Sequence, residues 1–90
     1  MTCYVRFPGS VWEKANSSYE TAFTHYTIFY RSNLEPGEVP QEGYVCAPAE
    51  NGGWMMFHVL PLHDQLYRIQ DRDGNVRELM CSMNKIETPF

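Results

Sequence analysis

The side chains of this chain best suited to hold a metal or act as a nucleophile are three histidines and three cysteines. They are His25, His58 and His63, with Cys3, Cys46 and Cys81. Structural zinc sites bring their ligands in close-spaced pairs, and no CxxC or HxxxH pair occurs here. His58 and His63 are five residues apart with Pro61 between them. On an unbroken strand that odd spacing would put them on opposite faces. A Cys–His pair meets in space and not in sequence. Cys46, His58 and His63 are therefore the set that a small enzyme or metal protein would use, provided they converge within about 4 Å of a common point. No local signature supports catalysis, and 90 residues leave little room for a deep pocket. The reading is a protein without catalytic, cofactor-binding or metal-binding residues.

Asp71, Asp73 and Asn75 occupy the first, third and fifth positions of a calcium-loop pattern, which also needs Gly sixth and Glu twelfth. Val76 and Ser82 stand there instead. Asn51-Gly52-Gly53 lacks the Lys-Ser/Thr that follows a phosphate-binding loop. Tyr26, Phe29 and Tyr30 are rings on which bases could stack. A nucleic-acid binder, however, needs cations to displace counterions from phosphate. The formal net charge is −4, and no Lys or Arg lies between Arg31 and Arg68, a span holding Glu35, Glu38, Glu42, Glu50 and Asp64. Nucleic acid is excluded as a partner on that ground.

What this charge pattern suits is a protein partner with a basic surface. The expected contact residues are Glu35, Glu38, Glu42 and Glu50, with Trp54, Met55 and Met56 as apolar anchors. The function expected is a non-catalytic protein-binding module, a small acidic inhibitor or regulator of viral or phage type. Two alternatives remain: a structural homodimer built on the apolar strand 54–60, and the Cys/His enzyme or metal protein above.

The elements that must position these residues centre on a hairpin from Leu66 to Met80. Asp71 suits the first position of a type I turn, and Gly74 suits the left-handed position after it. This predicts a loop of Arg72, Asp73 and Gly74 closed by Asp71 and Asn75. Arg68 then faces Glu78, Tyr67 faces Leu79 and Leu66 faces Met80. A loop one residue longer would set Arg68 against Arg77, like charges across a ladder. Tyr67, Ile69 and Leu79 share the core side of the predicted register.

Alternation predicts a strand over Thr2–Phe7, with Cys3, Val5 and Phe7 on one side. Ser10 and Glu13 fit a capping box, so a short helix is expected near residues 10–19. Asn16, Ser17 and Ser18 are poor formers of its interior. Phe23 to Arg31 is nearly all aromatic or β-branched and reads as a strand. Ser32 to Glu42 reads as a loop, Tyr44–Ala47 as an edge strand before Pro48, and Asn51-Gly52-Gly53 as a turn. Trp54 to Leu60 reads as a strand buried on both faces, linked by residues 61–64 to the hairpin. A single turn over 81–85 and a last strand over 86–90 complete the reading.

Together these elements predict one small domain spanning residues 1–90, of α+β, mainly β class, a small antiparallel sheet with one short helix. An all-β, SH3-like small barrel is the alternative. No apolar run approaches the roughly 18–20 residues that cross a bilayer, so no membrane association is expected. An N-terminus without signal-peptide layout and an odd number of widely spaced cysteines fit reduced thiols. The expected location is therefore cytoplasmic.

Overall fold

The computed structural model describes residues 2–63 and 65–82. Six strands are found among them: β1 (Thr2–Arg6), β2 (Glu13–Lys14), β3 (Gly43–Pro48), β4 (Trp54–His63), β5 (Leu66–Asp71) and β6 (Val76–Ser82). They form one antiparallel sheet in the order β2-β1-β6-β5-β4-β3. One helix, α1 (Ser17–Tyr26), runs on into a π-helical stretch, Thr27–Arg31, and lies across one face of the sheet. This is the mainly β, α+β architecture expected. The SH3-like alternative is corrected: β2 and β3 remain as edges of an open sheet.

Hairpin β5–β6 has the register read from its turn chemistry, with Arg68 opposite Glu78, Tyr67 opposite Leu79 and Leu66 opposite Met80. Gly74 takes φ 87°, a conformation in which a Cβ would clash. One Asp71 carboxylate oxygen accepts the amides of Asp73 (2.9 Å) and Asn75 (3.0 Å), and the other accepts Asn75 Nδ2 (3.0 Å). Desolvation raises the Asp71 pKa, but the hydrogen bonds from Asn75 and Asp73 and the nearby Arg77 outweigh it and hold the pKa below the ordinary carboxylate value. The turn's contribution is therefore present above that ordinary value and fades as the pH falls through the lowered one. Asp71→Ala leaves these donors to water and should cost about 1–2 kcal/mol, read as a shifted urea midpoint at neutral pH.

The helix is displaced from its expected place near residues 10–19. Glu13–Lys14 instead pairs with Tyr4 and Val5 of β1 as an edge strand. The helix starts at Asn16, whose side chain accepts the Tyr19 amide at 3.2 Å. Asn16, Ser17 and Ser18 thus favour a helix start, where short polar side chains satisfy orphan amides. Trp12 rests under the Arg6 guanidinium, 4.4 Å from its ring centre.

The strand expected at Phe23–Arg31 is likewise corrected, because this segment is the rest of the helix. Tyr19, Ala22, Phe23, Tyr26 and Tyr30 recur at helical spacing and form the stripe packed on the sheet. Thr24, Thr27 and Ser32 direct their hydroxyls to the carbonyls four residues back, at 2.9, 2.9 and 2.6 Å, so their polar groups are satisfied within the helical segment. Packing overrides the strand propensity of these residues.

The core lies between this stripe and the inner face of the sheet: Cys3, Val5, Val45, Ala47, Phe57, Val59, Tyr67, Ile69, Leu79 and Cys81. The rings of Phe23 and Tyr67 meet edge to face at 4.9 Å, and those of Tyr26 and Tyr67 at 5.7 Å. Both buried phenols have partners, as buried tyrosines require. Tyr26 donates to the Gln41 carbonyl at 2.7 Å, and the Arg31 guanidinium donates to the Tyr67 hydroxyl. Phe7, expected on the core side, lies beyond β1 and is exposed, with the Arg77 guanidinium 4.2 Å from its ring centre.

Three further expectations change. Cys3 and Cys81 stand opposite each other on β1 and β6 and form a disulfide, so Cys46 is the free thiol and the reading of reduced cysteines is corrected. The strand from Trp54 is buried on one face, and it continues through Pro61 to His63 with an irregularity between them. Pro61 is tolerated because β3 pairs no further than Val59, so a proline nitrogen there removes no ladder bond on that side. Cys81 and Ser82 belong to β6 and not to a turn. The rest of that expected turn and the strand over 86–90 lie outside the described residues.

Candidate functional site

With α1 on one face, the other face of the sheet has no element over it among the described residues. Strand alternation assigns to it Tyr44, Cys46 and Pro48 of β3 and Trp54, Met56 and His58 of β4, directly paired as Tyr44–His58, Cys46–Met56 and Pro48–Trp54. Tyr44 is 65% exposed, Trp54 70% and Met56 43%. Phe29, off the buried stripe of the helix, is 73% exposed and reaches the same corner. A groove of about 270 Å³ runs between them, lined by His25, Phe29, Tyr44, Val45, Cys46, Trp54 and Met56. A second cleft adjoins it along Trp54, Met55 and Met56, bounded by Asp71, Arg72 and Asp73.

The edge of β3 is closed by the helix beside it. Ser18 Oγ donates to the Pro48 carbonyl at 2.7 Å, and His25 Nδ1 lies 2.7 Å from the Cys46 carbonyl. The Tyr30 hydroxyl donates to the Tyr44 carbonyl at 3.3 Å and accepts the Tyr44 amide at 3.4 Å. Pro48 has no amide to offer. Side chains thus occupy the Tyr44, Cys46 and Pro48 carbonyls and the Tyr44 amide, groups that an edge strand otherwise presents to another chain. Gly43 makes this fit possible, since a Cβ there would lie 2.4 Å from the Tyr30 ring.

The expected contact residues divide between surfaces. Glu35, Glu38 and Glu42 are exposed in the connection between helix and β3. The Glu38 carboxylate accepts the Glu35 amide at 2.8 Å, closing a small turn. Glu42 pairs with His58 Nε2 at 2.8 Å and borders Tyr44, whose ring centre is 4.8 Å from that of His58. Glu50 is at the β3–β4 turn, on a separate cleft with Asn16, Tyr19 and Met55. Trp54 and Met56 share the open face, whereas Met55, one residue out of phase, packs against the core. Sequence reasoning named Phe29 only as a ring on which bases could stack and Tyr44 only as a strand residue. Alternation through Gly43–Pro48 could have found Tyr44, but Phe29 needed the segment to be read as helix.

Cys46 and His58 lie on this face at diagonal positions of neighbouring strands, while His63 is at the far end of β4. The three do not converge. Among the described residues no group of three or more His, Cys, Asp or Glu is placed to hold a metal ion. No helix among them is long and apolar enough to cross a membrane.

Fold and surface together define a small α+β protein with one sheet face covered and a partly apolar face open at the β3–β4 corner. Comparison with protein-family models, curated proteins and solved structures gave no match.

Proposed function

We propose that this protein is a non-catalytic protein-binding module that engages a partner with a basic surface, as a small acidic inhibitor or regulator does. One observation supports the reading best. Exposed Tyr44, Trp54 and Met56 sit on a part of the chain, residues 32–67, that carries no Lys or Arg and displays Glu35, Glu38, Glu42 and Glu50, and exposed Phe29 reaches the same corner. Exposed aromatic and methionine side chains supply binding energy when buried. Carboxylates on the same part of the chain favour encounter with cations. An inhibitor of viral type is one setting in which such a module acts. The cysteine argument for a cytoplasmic location no longer applies, because a disulfide suits an oxidising compartment.

Immobilised protein should retain a partner from lysate in low salt and release it in high salt, since exposed charges are screened. Glu35→Lys with Glu38→Lys and Glu50→Lys should abolish that capture. The reading fails if nothing binds in low salt, or if binding ignores both salt and charge reversal.

The same exposed corner also favours the homodimer reading, because a second copy could bury Trp54 and Met56. A mass of 10.5 kDa at every concentration in sedimentation would remove it.

A further inference from the structure

The groove at the β3–β4 corner carries information about how a partner is held, and this inference rests on the protein-binding reading above. At about 270 Å³ it is smaller than the roughly 300–1,000 Å³ usual for small-molecule sites. Its walls are mostly apolar and aromatic, the setting in which one anchor side chain is buried at a protein interface. Strand addition requires free amides and carbonyls along a sheet edge. Here Ser18, His25 and Tyr30 already occupy that edge at Pro48, Cys46 and Tyr44.

Charge selects the occupant. Glu42 stands at one end of this surface, 60% exposed at its side chain, and Asp71 and Asp73 border the adjoining cleft at the other, with Arg72 between them. No Lys or Arg comes from β3 or β4; Arg68 of β5, on the same face, stands opposite Leu60 on one side and Glu78 on the other. An apolar anchor with acidic neighbours would meet the Glu42 carboxylate at one end and a border of net negative charge at the other, and one with cationic neighbours would meet partners.

We propose that this groove seats one aliphatic or aromatic anchor of a partner segment flanked by Lys or Arg. The segment is held by side-chain insertion between Phe29, Tyr44, Trp54 and Met56, and not by strand addition.

Three dye-labelled synthetic peptides test this by fluorescence anisotropy on the full chain: a helix-forming leucine–lysine peptide, its leucine–glutamate counterpart, and an alternating valine–lysine strand former. The leucine–lysine peptide should bind, weaken with salt, and lose at least about tenfold in affinity on Trp54→Ala. Phe29→Ala should weaken it as well. Both residues are exposed, so circular dichroism should show either variant folded. Equal binding of the leucine–glutamate peptide would overturn the proposal, as would tightest binding by the strand former, indifference to Trp54→Ala, or no binding. Dimerisation of the wild type but not of Trp54→Ala would give the groove to a second copy and overturn it too. A salt-sensitive lysate partner held equally by wild type and Trp54→Ala would remove the groove and leave the binding module standing.

Discussion

Loss of the Cys3–Cys81 disulfide is expected to cost about 3–4 kcal/mol of stability, which in a domain of this size lowers Tm by roughly 15–25 °C. The bond joins residues 78 apart in sequence, so nearly the whole unfolded chain is confined by it. Loop-closure entropy makes such long-range links the more effective ones in the chain-entropy account. It also fastens β1, which meets β6 from the opposite end of the chain. Cys3 is fully buried and Cys81 3% exposed. A thiol reductant added to folded protein should therefore act slowly, at the rate of opening. Reduction in denaturant followed by refolding, or Cys3→Ser with Cys81→Ser, should show the full loss in thermal melts. Cys46→Ser, at an exposed free thiol, should leave Tm unchanged. A melt insensitive to the double substitution would contradict the disulfide's structural role.

Alkaline unfolding should be the second large effect. Burial pushes the Tyr26 phenol up to about 12, with Tyr67 adding to the rise and Arg31 opposing it. Burial also raises Tyr67 against the nearby Arg31, and raises Tyr19 against Arg77 with a small further rise from Asp71. A raised folded-state pKa means the native protein holds its proton more tightly than the unfolded chain. The stabilisation is complete below the unfolded value near 10 and is lost as the pH rises through the folded value. For the fully buried Tyr26 this comes to roughly 2–3 kcal/mol across that window. Phenolate absorbance and near-ultraviolet circular dichroism should therefore change together, in one cooperative step. Tyr26→Phe keeps the ring but loses the bond to the Gln41 carbonyl, so it should cost about 1 kcal/mol at neutral pH. It should also reduce the alkaline loss. Phenolate formation at Tyr26 without loss of tertiary signal would refute the account.

Where the sequence was legible, a few adjacent residues sufficed to decide the geometry. Asp71, Gly74 and Asn75 specify a loop length through hydrogen bonds within the turn, and loop length sets the register of every pair in hairpin β5–β6. The edge strand β3, expected to stop before Pro48 and found to end on it, and the turn at Asn51–Gly53 were readable for the same reason. The candidate site was only half legible. The acidic, cation-free character of residues 32–67 is written in composition and order, and Trp54 and Met56, expected as contacts, lie exposed on the open face. Their neighbours Phe29 and Tyr44, and the inward direction of Met55, required each segment's true periodicity.

The sequence by itself determined the mainly β class, the central hairpin with its register, and a stretch, residues 32–67, free of Lys and Arg, because these follow from local backbone preference and composition. Tertiary structure decided that Phe23–Arg31 is helix, since those rings gain more by forming one stripe over the sheet than by extending along it. It decided that Cys3 meets Cys81, because pairing between chain ends leaves no trace in spacing. It decided which apolar side chains stay uncovered, because burial is settled by what packs opposite a residue and not by the residue alone.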